Sequence, residues 1–254
     1  MTAWAALERE LDRWHAQGQA ATLWLRDDDA CHDTPPLHRL LTIAQAHAVP
    51  VAIAAIPAAL DATLAVALSR FGEATVVQHG YAHRNHASVG ERSAELGDGR
   101  DVDVRLDELR RGCATLRSEF GERFLPVLVP PWNHAGDALL PSLAPAGFGG
   151  LSRFGPRPAI DAAPGLRQVN THVDPIAWRR DRAFIGADAA LERLVAHLGA
   201  RRERTCDTAE PSGLLTHHLA FDDAAWDFVD ALLARTCRHP AAAWLDVGHA
   251  FALL

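Results

Sequence analysis

Three consecutive carboxylates, Asp27, Asp28 and Asp29, follow an apolar run near the start of this 254-residue chain. Adjacent carboxylates repel one another unless a positive group sits among them, and a divalent cation is one such group. A solvated acidic turn that caps the next helix is the plainer reading of the same residues. A second constellation is His79-Gly80-Tyr81-Ala82-His83. Two imidazoles four residues apart can meet one ion on a tight turn, and imidazole suits zinc and its first-row neighbours. In a chain with 14 histidines this spacing alone is a weak signal. Its place directly after an apolar run, with Gly80 permitting a sharp turn, strengthens it. Asp29, His79 and His83 together would leave coordination positions open for water, as a catalytic metal site requires. His86 is a further candidate, to support these ligands or touch a substrate.

Other polar groups stand at the ends of apolar runs. Pro130-Pro131-Trp132-Asn133 reads as a rigid turn whose amide N–H groups could face a substrate oxygen, or as a turn with a packing Trp. Thr216-His217-His218 ends a buried run, and one of the two imidazoles could act as a general acid, a structural His being the plainer alternative. The segment Asn170-Thr171-His172-Val173-Asp174, with Trp178 nearby, is a candidate to orient that His or to line the substrate site. The remaining histidines, His134 and His197 among them, have no partner spacing and read as structural.

Helical and strand-like patterns that alternate along the chain would position these groups. Residues 2–17 carry Trp4, Leu7, Leu11 and Trp14 on one helical face. The spacing predicts strands at 21–25, 49–56, 75–77, 125–129, 147–151, 166–169, 213–215 and 242–247. It predicts helices at 35–48, from Pro57 to about 72, and at 102–120, 187–198 and 222–235, with a long functional loop at 83–100. Such alternation implies parallel strands with right-handed crossovers, and one closed or nearly closed (β/α) barrel in a single domain over 1–254. In that architecture the carboxyl ends of the strands share one face, where five of them present acids, imidazoles and amides.

A net charge of −7 with no basic patch argues against a nucleic-acid partner. The start of the chain has no apolar signal-like region and no run is long enough to span a bilayer, so a cytoplasmic location and no membrane partner are expected. Four scattered cysteines form no CxxC pair and read as free buried thiols.

An Asp-Asp pair after strand one, HxxxH after strand three, a Pro-aromatic turn, an Asp/Trp segment and a late Leu-x-His occur in this order over roughly residues 20–220. The series resembles the polysaccharide deacetylase superfamily (NodB homology, carbohydrate esterase family 4). The resemblance implies an α/β fold, a distorted (β/α)7 barrel, here with residues 1–18 as an N-terminal helix and 80–101 as an active-site loop. It implies a hydrolase of carbon–nitrogen amide bonds that removes an acyl group, an acetyl above all, from an N-acylated sugar or related amide. Such an enzyme uses metal-activated water with an Asp base and a His acid, on a small-molecule or oligosaccharide substrate.

Carried over by position, Asp28 resembles the base, and Asp29, His79 and His83 the metal ligands. Trp132 resembles the residue whose backbone N–H binds the oxyanion, and His217 the general acid. Arg26, Asp27, His86, Asn133, Asp174, Trp178 and His218 are candidates for substrate contact or support. The triplet leaves a second register open, in which Asp27 and Asp28 take the base and ligand roles. One divalent ion is implied, zinc first, with cobalt, manganese, iron or nickel compatible. One departure stands out: Val129 occupies the place where the family's third motif begins with an Arg that orients the base, and Arg26 is its candidate substitute. A non-catalytic, metal-containing carbohydrate-binding protein of the same fold is the alternative expectation.

Overall fold

Strands buried on both faces read as continuous apolar runs, and every residue of Val51–Ala55 is buried. The computed structural model describes residues 2–253. After helix α1 (Ala3–Ala16) come β1 (Ala21–Ala30), α2 (Pro35–Ala46), β2 (Val51–Ala55), α3 (Ala62–Leu68), β3 (Ala74–His79) and α4 (Val102–Phe120). These are followed by β4 (Phe124–Val129), α5 (Leu140–Leu143), β5 (Gly150–Leu151), the hairpin β6 (Asp161–Ala163) and β7 (Leu166–Gln168), and α6 (Ala187–Arg202). Strand β8 (Ser212–Thr216), α7 (Asp223–Thr236), β9 (Ala242–Trp244) and α8 (Val247–Phe251) complete the fold. Side-chain oxygens of Thr2, Thr34, Asp61, Asp101, Asp222 and Asp246 cap the helices they precede, each satisfying an otherwise unpaired amide.

The sheet runs β6-β7-β5-β4-β3-β2-β1-β8, with β9 also paired to β1, and all pairs but the β6–β7 hairpin are parallel. One face carries Trp24, Ala52, Ala54, Val77, Val127 and Val129, and Val247 and Phe251 of α8 pack into the same cluster. Trp24 meets Phe251 edge-on at 5.7 Å. The other face, with Leu23, Leu25, Ile53 and Val76, packs under the helices. Burying each of these large apolar side chains is worth about 1.5–3 kcal/mol, before entropy is set against it.

Of the closed or nearly closed barrel that the alternation predicts, the structure takes the second form: among the described residues no strand ladder joins β7 to β8. The chain after β7 crosses the gap with a single parallel bridge, Val173 to Leu214, in which the amides of His172 and Val173 reach the Gly213 carbonyl. Gly213 is required there, since a Cβ would lie 2.5 Å from the Trp24 indole nitrogen and 2.7 Å from the Asn170 carbonyl. The helix expected from Pro57 is corrected. Residues Pro57–Ala59 make only a 3-10 turn, Leu60 turns extended, and Asp61 starts α3 afresh. The Ala58 amide is spent instead on the Tyr81 carbonyl. The four cysteines are free but not buried: Cys31, Cys113 and Cys206 are half-buried and Cys237 is exposed.

Polar side chains stitch the open seam. Arg201 of α6 donates to the Thr22 carbonyl at 2.8 Å and to Ser212 Oγ at 3.0 Å. Glu210 accepts from the Arg157 and Asn170 amides, both at 2.9 Å. Within this seam the rings of His172 and His197 stack at 3.4 Å. Burial holds both imidazoles neutral; it is the main cause that brings His197 down to about 2, with His172 and Arg201 adding to it, and it lowers His172 against the pull of Glu210.

A histidine held neutral in this way contributes fully above its unfolded-state value of 6.5, and its contribution is lost progressively as pH falls below that. The urea midpoint of the wild type should therefore fall between pH about 7 and about 5. His197→Phe should fall less steeply over the same range. Equal slopes for the two proteins would show that the stacked pair does not govern this limb.

Candidate metal centre

Strand β1 does not stop before its acids, as the pattern of residues 21–25 suggested, but runs through them to Ala30. Alternation sends Asp27 and Asp28 to opposite faces. Asp29 then leaves the alternation, with φ of 76° and a break in the β1–β2 register between Asp27 and Ala30. The three carboxylates consequently point to three different partners.

Asp27 turns toward β8. It accepts from Thr216 Oγ1 at 2.8 Å and the His218 amide at 3.0 Å, and meets His218 Nδ1 at 2.5 Å. Burial works against a charged His218, but Asp27 outweighs it and holds the imidazole above its ordinary value. Both side chains are sealed from solvent, so His218 and Asp27 make a structural tie. Asp28 lies in the fork of Arg26, with Nε and Nη2 at 2.9 and 3.0 Å. Arg26 also donates to Ser152 Oγ at 2.6 Å and Asn133 Oδ1 at 2.7 Å. Arg26 and Asp28 are two residues apart on one strand, so they share a face. Val129, where an Arg was expected, is buried in the apolar cluster beside Trp24.

Asp29 faces the imidazoles. Its Oδ1 lies 3.1 Å from His79 Nε2 and 3.3 Å from His83 Nε2. Burial opposes its ionisation, yet His79, His217 and His83 together hold its carboxyl well below the usual range. His79 Nδ1 lies 3.0 Å from the Val129 carbonyl, which can only accept, so this nitrogen carries a proton and, in the neutral ring, Nε2 turns its lone pair on Asp29. A lone pair and a carboxylate oxygen this close call for a proton or a cation between them. An ion with bonds of about 2.0–2.2 Å sets neighbouring tetrahedral donors about 3.4 Å apart, so the donor set fits a single divalent ion. Fixing a ligand His through Nδ1 in this way is the usual outer support of such sites.

A second His/His/carboxylate group, His172, His197 and Glu210, also brings three donors within 4.8 Å of one another. There the hydrogen bonding is reversed. The Gly213 amide donates to His172 Nδ1 at 3.0 Å, so a neutral ring carries its proton on Nε2, the atom a metal would need. Glu210 is already engaged by two amides, and Arg201 and Arg157 bring positive charge nearby. This group is the seam of the fold, and His172 belongs to it rather than to a substrate site.

Around Asp29 the remaining candidates are brought together unevenly. His217 Nε2 lies 4.0 Å from Asp28 Oδ2, and the Trp178 indole packs against the His217 ring at 4.6 Å. Trp178 is held by Asp174, which accepts its Nε1–H at 2.7 Å. Burial raises the Asp174 carboxyl, with His217 opposing. Asp174 thus reaches His217 through Trp178. Trp132 adopts φ of 55° and its ring lies 4.6 Å from that of His83. The amides of Asn133 and His134 return to the Pro130 and Pro131 carbonyls. His86 is not part of this group: it is exposed on the loop, its amide bonded to the Ala94 carbonyl.

Three residues at the centre escaped the sequence reading: Ser152, Arg92 and Glu95. Ser152 is held by Arg26, and Arg92 clamps the Trp132 carbonyl at 2.9 Å. Glu95 accepts from the Tyr81 and Ala82 amides at 3.0 and 2.7 Å. Ser152, just beyond an expected strand, had a positional signal; isolated residues in a polar loop had none.

No protein-family model matches the chain, and no curated protein matches it in sequence. Solved structures do match in fold. A Mycobacterium smegmatis protein described as a polysaccharide deacetylase superposes with a TM-score of 0.68 at 16% identity, covering 92% of this chain and 90% of its own. A family 4 acetyl xylan esterase from Clostridium thermocellum, in complex with a cobalt ion, gives 0.53 at 13% identity, with 91% of each chain covered. A family 4 pseudoenzyme from Bacillus anthracis gives 0.57 at 14%, covering 91% of this chain and 66% of the other. The chain therefore has the mixed α/β, (β/α)7-barrel-like fold of the polysaccharide deacetylases, with an open sheet.

Removing the Arg26 fork would leave Asp28 buried and uncompensated. Arg26→Leu should cost about 3–5 kcal/mol of unfolding free energy. The same change in an Asp28→Asn background should cost less, because no charge is then stranded. Equal costs in the two backgrounds, measured by urea denaturation, would mean the pair is not coupled.

Proposed function

We propose that this chain is a metal-dependent hydrolase that removes an acyl group, an acetyl above all, from an N-acylated sugar or related amide. The observation that carries the proposal is the convergence of Asp28, oriented by Arg26, with the Asp29–His79–His83 donor group and with His217. The fold likeness to deacetylases supports it.

Asp29, His79 and His83 would hold the ion, zinc being the first candidate. Bound there, a divalent ion supplies Lewis-acid polarisation and brings the pKa of water down toward about 7. Asp28 would be the base that takes the proton of the attacking water. The Arg26 fork fixes its plane while leaving each carboxylate oxygen a further lone pair. The Trp132 N–H, the first amide after two prolines, would donate to the developing oxyanion, an interaction worth about 2.7–4 kcal/mol in comparable sites. His217, 4.0 Å from Asp28, would return the proton to the departing amine. Trp178 packs its ring edge-on against His217 and limits how it can turn.

The alternative, a non-catalytic carbohydrate-binding protein, drew on Val129 standing in place of an Arg. The Arg26–Asp28 fork weakens that motive, because the carboxylate has its guanidinium from another strand position.

Incubation with a panel of N-acetylated sugars and added zinc or cobalt should release acetate, and a chelator should abolish release until metal is returned. Asp28→Asn and His217→Ala should each lower turnover by about 10²–10⁴-fold while bound metal per chain stays unchanged. Near-normal turnover in either variant would remove that residue from its role. Sugar binding without acetate release from the wild type would favour the non-catalytic alternative.

A further inference from the structure

Most of the loop between His83 and Val102 is exposed, yet Ala94, Glu95 and Leu96 are buried, with Glu95 only 1% exposed. A buried carboxylate normally has a cation beside it. Among the described residues Glu95 makes no ion pair: Arg100, near enough to feel its charge, gives its guanidinium to Glu108 at 2.8 and 2.9 Å and bonds only the Glu95 carbonyl. The Glu95 side chain is held instead by the backbone of the metal-binding turn. The Tyr81 and Ala82 amides donate to it at 3.0 and 2.7 Å, and the Arg84 amide approaches at 3.5 Å. Successive amides that converge in this way make an anion nest, here filled from within the chain.

The turn is built around this carboxylate. A Cβ at Gly80 would lie 2.0 Å from Glu95 Oε2, and Gly80 adopts φ of 53°. His83 also adopts a left-handed φ, 52°, which a turn without side-chain support does not readily hold. Charge points the same way. Asp27 is paired with His218 and Asp28 with Arg26, whereas Glu95 makes no ion pair among the described residues.

We infer that Glu95 is a positioning residue of the metal centre, which sets His83 in place through the backbone of residues 81–84 and adds buried negative charge in favour of a divalent cation. This role rests on the reading of Asp29, His79 and His83 as metal ligands. It makes Glu95 part of metal affinity without making it a ligand.

The test uses cobalt(II) as probe, followed by its visible absorption and by competition with a chelator, on the full chain. The wild type should bind about one equivalent. Glu95→Gln, with an unchanged far-ultraviolet circular dichroism spectrum, should bind about 10–100-fold more weakly, the range typical when a residue supporting a metal ligand is changed. Glu95→Asp, which keeps the charge on a shorter arm, should fall between them. Wild-type affinity in Glu95→Gln would overturn the role while leaving the metal centre standing. A wild type that binds no cobalt would overturn both.

Amide hydrogen exchange in the metal-free wild type gives an answer that does not depend on a variant's folding. Tyr81 and Ala82 should be protected before any ion is added. Exchange at unprotected rates there would show that Glu95 does not preset the turn.

Discussion

Three neighbouring carboxylates on one buried strand end are the constraint around which this site is arranged. Left uncompensated in the interior, they would oppose folding by many kcal/mol. Two-residue alternation can separate only two of them, and the left-handed turn at Asp29 separates the third. Each then receives its own counter-group from a different part of the chain: His218 after β8, Arg26 from β1 itself, and the two imidazoles after β3. Only the last of these counter-groups is neutral in its usual ligand state. The charge of the triplet is thus matched by His218 and Arg26 at two positions and faces the His79 and His83 donors at the third.

How much of this was legible in sequence follows from which interactions are local. The helix at 102–120 was read to the residue because nineteen positions share one periodicity and Asp101 caps it. The Arg26–Asp28 pair was also within reach, since residues two apart on a strand share a face. The division of labour among the three acids was not, because alternation alone puts Asp27 and Asp29 on the same side, and nothing local announces the positive φ at Asp29. The stacked pair His172 and His197 lies twenty-five positions apart in sequence and is joined only when α6 packs on the seam. The sheet stays open for a related reason: β7 ends at Gln168, and beyond it the Val169 and Thr171 amides turn back to the Leu151 and Arg153 carbonyls and the Asn170 amide to Glu210, which leaves one bridge, Val173 to Leu214, toward β8.

Fold likeness and function separate clearly in this protein. Structures that share its architecture include an acetyl xylan esterase and a pseudoenzyme, at comparable TM-scores. The fold fixes which strand ends share a face; the donors on that face decide what can happen there. The two His/His/carboxylate groups of this chain illustrate the point. Composition does not tell them apart. The direction of one hydrogen bond on Nδ1 does: His79 gives its proton to a carbonyl and frees Nε2, whereas His172 receives one from an amide and does not.

The turns that carry the site are conformationally costly, and the cost shows where the structure is reinforced. Asp29, His83, Trp132 and Asn133 all adopt positive φ without being glycine, at about 1–3 kcal/mol each for such conformations. The turns that bear His83, Trp132 and Asn133 are each gripped by a side chain from elsewhere. Arg26 reaches Asn133, Arg92 reaches the Trp132 carbonyl, and Glu95 reaches the amides ahead of His83. Arg26 is thereby bound at once to Asp28 and to the turn bearing Trp132, so the orientation of a carboxylate and that of a backbone N–H depend on one guanidinium. A site held this way needs little rearrangement when a ligand arrives, because the strain is already balanced by contacts outside the reacting groups.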